Sequence, residues 1–96
     1  MFKATMGKGF QMTFANGNTI SVQWGKGNYC ENYFADTPME GVNLWGHFVE
    51  CKDAEIAIWD KDGTWITKDF IPDLDDDVKG SLSADDVLAL MVKVAK

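Results

Sequence analysis

Hydrophobic and polar residues alternate along two stretches of this chain, and each alternation turns back on itself. In residues 8–25, KGFQMTFANGNTISVQWG, Phe10, Met12 and Phe14 alternate with polar positions, and Ile20, Val22 and Trp24 do so again beyond Asn16-Gly17-Asn18. A period of two marks a strand with one buried face, and the Asn-Gly step marks a reversal, so the segment predicts a β-hairpin. A two-residue loop at Asn16-Gly17 would set Phe14 opposite Thr19 and mix the two faces. A three-residue loop, Asn16 to Asn18, pairs Phe14 with Ile20, Met12 with Val22 and Phe10 with Trp24, with Asn18 left-handed. A second hairpin is predicted over residues 54–70, AEIAIWDKDGTWITKDF. There a loop Lys61-Asp62-Gly63 pairs Trp59 with Trp65 on one face and Ile58 with Ile66 on the other.

The period changes at Ser83. Ser83 reads as a helix N-cap, with Asp85 and Asp86 at the positive end of the helix dipole. Val87, Leu88, Met91, Val94 and Ala95 then share one face, and Lys93 and Lys96 lie near the C-terminal end. A long connection over residues 25–48 and an acidic loop over 71–82 complete the chain. The expected fold is α+β, a single domain over residues 1–96. It consists of an antiparallel sheet of two β-hairpins, four or five strands in all, with one C-terminal amphipathic helix (83–96) packed on one face. A fifth strand is expected around residues 47–52.

Composition narrows the classes of function. The chain is 46% hydrophobic, too apolar for a disordered segment. It has no apolar run of the ~18 residues that a membrane span needs, and MFKATMGKGF lacks the apolar core of a secretory signal. A cytoplasmic protein without membrane contact is expected. Cys30 and Cys51 are too few for a disulfide scaffold, and in a reducing compartment two free thiols are expected. Charge is unevenly spread: residues 1–30 carry three lysines and no acid, whereas all 15 acids follow, and the chain sums to −6. It contains no arginine. An acidic chain without guanidinium forks is a poor reader of phosphate or guanine, so a basic protein partner is expected rather than direct nucleic-acid contact.

Several residue groups suggest chemistry. Gly25-Lys26-Gly27-Asn28 offers backbone N–H groups to an anion such as a nucleotide, with Lys26 as counter-charge and Tyr29 as a stacking face. Lys26, Gly27, Asn28 and Tyr29 are therefore the candidate ligand-binding residues, although glycines that merely end a strand account for the same pattern. Cys30, His47 and Cys51 are soft ligands without paired CxxC spacing, so no metal is predicted, and no motif implies a cofactor. A cysteine nucleophile with His47 as base lacks an orienting group and an oxyanion hole, so no enzyme is predicted. Asp60-Lys61-Asp62-Gly63 resembles the start of a calcium loop but lacks the closing glutamate. The densest acidic run is Asp73-Leu74-Asp75-Asp76-Asp77.

GKGFQMTFANGNTISVQWGKGNYCENY, AEIAIWDKDGTWI and the ending SADDVLALMVKVAK, taken in that order, resemble a group of small uncharacterised proteins of tailed bacteriophages and prophages. The resemblance spans most of the chain and implies no activity and no site residues. It implies a setting, the cytoplasm of an infected bacterium, and with it a non-catalytic role. The function expected is that of a small acidic binding protein that modulates a host protein, such as a defence component or a nucleic-acid-binding protein. Asp69, Asp73, Asp75, Asp76 and Asp77 would meet the basic partner, since a positive groove attracts suitably spaced negative charge. The alternatives are small-ligand binding through the 25–34 loop and an accessory role in virion assembly. Any homo-oligomer is expected to form through the Trp59 and Trp65 face or the edge beside residues 25–48.

Overall fold

A computed structural model describes residues 1–5, 8–33 and 50–96. Five strands, β1 (Phe2–Thr5), β2 (Gly9–Thr13), β3 (Thr19–Gln23), β4 (Ala54–Trp59) and β5 (Val78–Leu82), form one antiparallel sheet in chain order. A short helix, α1 (Thr67–Phe70), precedes β5, and α2 (Ala84–Ala95) follows it. The expected α+β arrangement of sheet and C-terminal helix is present. Ile20 and Val22 of β3 and Ile56 and Ile58 of β4 meet Val87, Leu90 and Val94 of α2 in the core. Full burial of each such side chain stabilises the fold by about 1.5–3 kcal/mol.

Helix α2 begins as the sequence predicts. Ser83 accepts from the Asp86 N–H at 3.2 Å, and the Asp86 carboxylate accepts from the Ser83 N–H at 3.2 Å, a reciprocal capping box. The buried face is narrower than expected. Val87, Leu90 and Val94 are buried and Met91 packs beside them, whereas Leu88 is 60% exposed and Ala95 is exposed. At 3.6 residues per turn, positions 87, 90, 91 and 94 form one stripe, and 88 and 95 fall about a quarter-turn to its side.

The first hairpin forms with a different register. β2 and β3 pair Met12 with Ile20 and Phe10 with Val22. The loop is Ala15-Asn16-Gly17, one residue earlier than expected, closed by Gly17 N–H to Phe14 O at 2.9 Å, with Gly17 at φ 90°. Glycine takes the left-handed position at less cost than Asn18 would. The shift preserves parity, so the same residues face the core. Trp24 now donates its N–H to Lys8 O at 2.8 Å and meets Phe10 edge-on, with ring centroids 6.2 Å apart.

The second hairpin is shorter than expected. Trp59 and Trp65 bridge, Ile66 N–H reaches Ile58 O at 2.8 Å, and Gly63 closes the turn at φ 83°. Beyond Ile66 the chain coils into α1 rather than continuing as a strand to residue 70. Thr67, 1% exposed, explains the change: its hydroxyl accepts from the Ile58 N–H at 2.9 Å and donates to Asp77 O at 2.6 Å. The acidic loop predicted to run to residue 82 ends at Asp77, because Val78–Leu82 forms β5, pairing Val78 with Ala57 and Leu82 with Ala54. β1 is a further strand, pairing Phe2 with Met12. Phe34, Trp45, His47 and Phe48, and the first half of the strand expected around residues 47–52, lie outside the described residues, and residues 50–52 are not in a strand, since β4 begins at Ala54. No helix among the described residues is long and apolar enough to cross a membrane.

Candidate functional site

After β3 the chain turns across the end of the sheet. Asn28 N–H donates to Gly25 O at 3.1 Å, and the Asn28 side-chain oxygen accepts from Gly25 N–H at 2.9 Å. Asn28 is buried, and its side-chain amide donates to Glu55 Oε1 at 3.2 Å. The other Glu55 oxygen accepts from Tyr29 N–H at 3.0 Å. Tyr29 O accepts from Ser81 N–H at 2.8 Å, and its backbone lies against Gly80, where there is no room for a Cβ. The half-exposed Tyr29 ring stacks flat on Tyr33, with centroids 5.4 Å apart and planes 2° from parallel.

This geometry gives the four predicted ligand-binding residues separate roles. Asn28 is an internal strut, Tyr29 is half strut and half surface, and Lys26 and Gly27 face solvent. The N–H groups of Gly25, Gly27, Asn28 and Tyr29 all donate within the protein, Gly27 to Tyr33 O at 3.1 Å. A carboxylate from β4 thus stands where an external anion was expected. The sequence signal for it was a single acid, Glu55, inside the otherwise apolar AEIAIW.

Beside this turn a second group converges. The donor atoms of Cys30, Cys51 and Asp53 lie within 4.8 Å of one another, and both cysteines are free thiols. Cys51 Sγ donates to Asp53 Oδ1 at 3.3 Å, and the same oxygen accepts from Glu31 N–H at 2.8 Å. Asn32 ties the two segments together by donating its side-chain amide to Trp24 O at 2.9 Å and Glu50 O at 3.0 Å. The Glu31 amide holds the Asp53 carboxyl below its ordinary 3.8. Burial pushes the Cys30 thiol up to about 11, with Cys51 and Asp53 adding to the rise. Cys51 and Asp53 also border an apolar cleft of about 330 Å³ against Trp24, Val87 and Met91, and Cys30 borders another with Tyr29 and Tyr33.

The predicted acidic surface is real in its exposure. Asp69, Asp73, Asp75, Asp76 and Asp77 are all exposed, and among the described residues none of them forms an ion pair. Asp73 stands at φ 64°, in the left-handed region that aspartate tolerates better than most side chains. The run ends where Val78 joins the sheet, and Val78, Trp59 and Trp65 line one cavity on the sheet face opposite α2. Trp65 is 50% exposed and packs at 5.5 Å on Trp59. Comparison with protein-family models, curated proteins and solved structures finds no match to this chain, so the reading of these sites rests on their own geometry.

Proposed function

We propose that this protein is a non-enzymatic binding module that docks on a basic protein surface through its acidic loop and the adjoining tryptophan pair. The observation that carries this reading is Trp65, half-exposed on Trp59 and flanked along the chain by aspartates that form no ion pair among the described residues. Residues 60–77 hold seven aspartates against two lysines, a net charge of −5. Exposed carboxylates steer and select a cationic partner, and an exposed indole adds a face for its lysine or arginine side chains. Tryptophan is also the residue type that most often anchors an interface. In the setting that the phage resemblance implies, the partner is a host protein, and occupying its basic groove would modulate it. The small-anion alternative has less support, because the N–H groups of Gly25, Gly27, Asn28 and Tyr29 are already spent on Glu55, Tyr33 and the turn itself.

The test is salt-dependent association with basic proteins from the host bacterium, measured for the native chain, a Trp65→Ala variant and a variant with Asp73, Asp75, Asp76 and Asp77 changed to Asn. The expected result is a purified partner of high isoelectric point whose affinity falls with salt and falls again in both variants. Equal binding by the charge-neutral variant overturns the proposal.

A further inference from the structure

The geometry points to a soft divalent-metal site, of the kind that takes zinc, built from Cys30, Cys51 and Asp53. A tetrahedral zinc with Zn–S near 2.3 Å and Zn–O near 2.1 Å sets its sulfur donors about 3.8 Å apart and sulfur from oxygen about 3.6 Å. The three donors already lie within 4.8 Å of one another, and the Cys51 to Asp53 separation is 3.3 Å. Closing on an ion therefore needs side-chain movements of about an ångström and no change of backbone.

The surroundings suit such an ion. Asp53 is oriented by the Glu31 N–H on Oδ1, the oxygen that lies 3.3 Å from Cys51 Sγ, and a carboxylate oxygen held by one N–H keeps a second lone pair for an ion. A ligating carboxylate held by an outer hydrogen bond is the usual arrangement around protein-bound metals. The backbone beside Cys30 is fixed by Tyr29 N–H on Glu55 and Glu31 N–H on Asp53, so its thiol is presented from a tethered loop. Two thiols and one carboxylate favour zinc over calcium or magnesium, which prefer oxygen alone. The clefts that border Cys30 on one side and Cys51 with Asp53 on the other supply routes of entry.

Binding is written as M²⁺ plus two thiols and one carboxylate, giving the bis-thiolate carboxylate complex and two protons released to solvent. No electron moves. The complex carries one net negative charge, and affinity rises with pH because the thiols must lose their protons. Three protein donors leave one tetrahedral position for solvent. The ion would also tie the loop after β3 to the segment that leads into β4.

The experiment uses the full chain, reduced with a non-thiol reductant, freed of metal with a chelator, and titrated with Co²⁺ and then Zn²⁺. The expected result is one equivalent of Co²⁺ with thiolate-to-cobalt charge-transfer absorption and a tetrahedral visible spectrum, displaced by Zn²⁺. Bound zinc should raise the melting temperature and shield both thiols from a thiol-specific reagent. Cys30→Ser and Cys51→Ser, each checked for native circular dichroism, should weaken the sulfur band, and Asp53→Asn should lower the affinity while keeping it. The native titration needs no variant to fold. Absence of a stoichiometric complex at micromolar protein overturns the inference. So does binding that persists unchanged in the double cysteine variant, or formation of a Cys30–Cys51 disulfide with Zn²⁺ present in excess.

Discussion

Replacing Asn28 with alanine separates a structural role from a ligand-binding one. Asn28 is 8% exposed and its side chain makes two hydrogen bonds, one within the turn and one to β4. Its oxygen satisfies the N–H of Gly25, which is itself buried, and an orphaned buried donor costs about 1–3 kcal/mol. Its amide donates to the Glu55 carboxylate, and since Glu55 is only half-buried, water recovers part of that loss, leaving about 0.5–1 kcal/mol. The sum spans about 1.5–4 kcal/mol, with about 2–3 kcal/mol at its centre, against folding with no ligand present.

Urea unfolding at neutral pH reads this directly. With a denaturant slope near 1 kcal/mol per molar, the midpoint of Asn28→Ala should fall by about 2–3 M. At roughly 4–8 °C per kcal/mol for a domain of this size, the melting temperature should fall by about 10–20 °C. Asn28→Asp is the informative companion: it keeps the acceptor for Gly25 but sets two carboxylates face to face, so its deficit should shrink as the solution is acidified into the carboxylate range. A loss below about 0.5 kcal/mol for Asn28→Ala would refute the reasoning, because it would leave Asn28 free for the anion role that its glycine neighbours first suggested.

Further outcomes follow from single contacts. A Cβ at Gly80 would stand 2.5 Å from Tyr29 O, so Gly80→Ala should push the turn off β5, lose the Ser81 to Tyr29 bond and cost about 2 kcal/mol by calorimetry. Thr67→Val keeps the shape but leaves the Ile58 N–H without its partner, and should lower stability by about 1–3 kcal/mol while amide exchange at Asp77 and Val78 quickens. Asp53, held below its ordinary 3.8 by the Glu31 amide, contributes stability above that value and loses it as pH falls through its lower folded pKa. The native chain should therefore exceed Asp53→Asn in urea midpoint at pH 7, and the two should converge as the solution is acidified through the lowered Asp53 carboxyl.

What the sequence disclosed and what it withheld have physical reasons. Alternation at Phe10, Met12, Ile20 and Val22 identifies which residues share a face, because side chains in a strand point to opposite sides in turn. It does not identify which residues oppose each other, and there the left-handed preference of Gly17 decided the register. β5 was hidden because the aspartates before it end abruptly at Val78, and VKGSL carries only two apolar residues to announce a strand. The short helix at Thr67 answers to a hydrogen bond with Ile58, nine residues back, which no local propensity reports. The thiol cluster was half legible: Cys30 and Cys51 were visible as soft ligands, but Asp53 joins them only once β4 is laid beside the turn.

The turn and the cluster have one cause. Asp53 and Glu55 are two residues apart as the chain enters β4, and their carboxylates accept from Glu31 N–H and Tyr29 N–H, also two residues apart and in reverse order. The contacts therefore run in antiparallel order against the entry to β4, and they are made by side-chain carboxylates because both edges of β4 are already paired, with β3 and β5. Such a pairing keeps an irregular segment in register without making it a strand. It also carries the residue between Tyr29 and Glu31, Cys30, to the start of β4, where Cys51 and Asp53 stand. Two acids that the overall charge would assign to solubility instead bring together, among the described residues, the cysteine and carboxylate donors of the metal site inferred above.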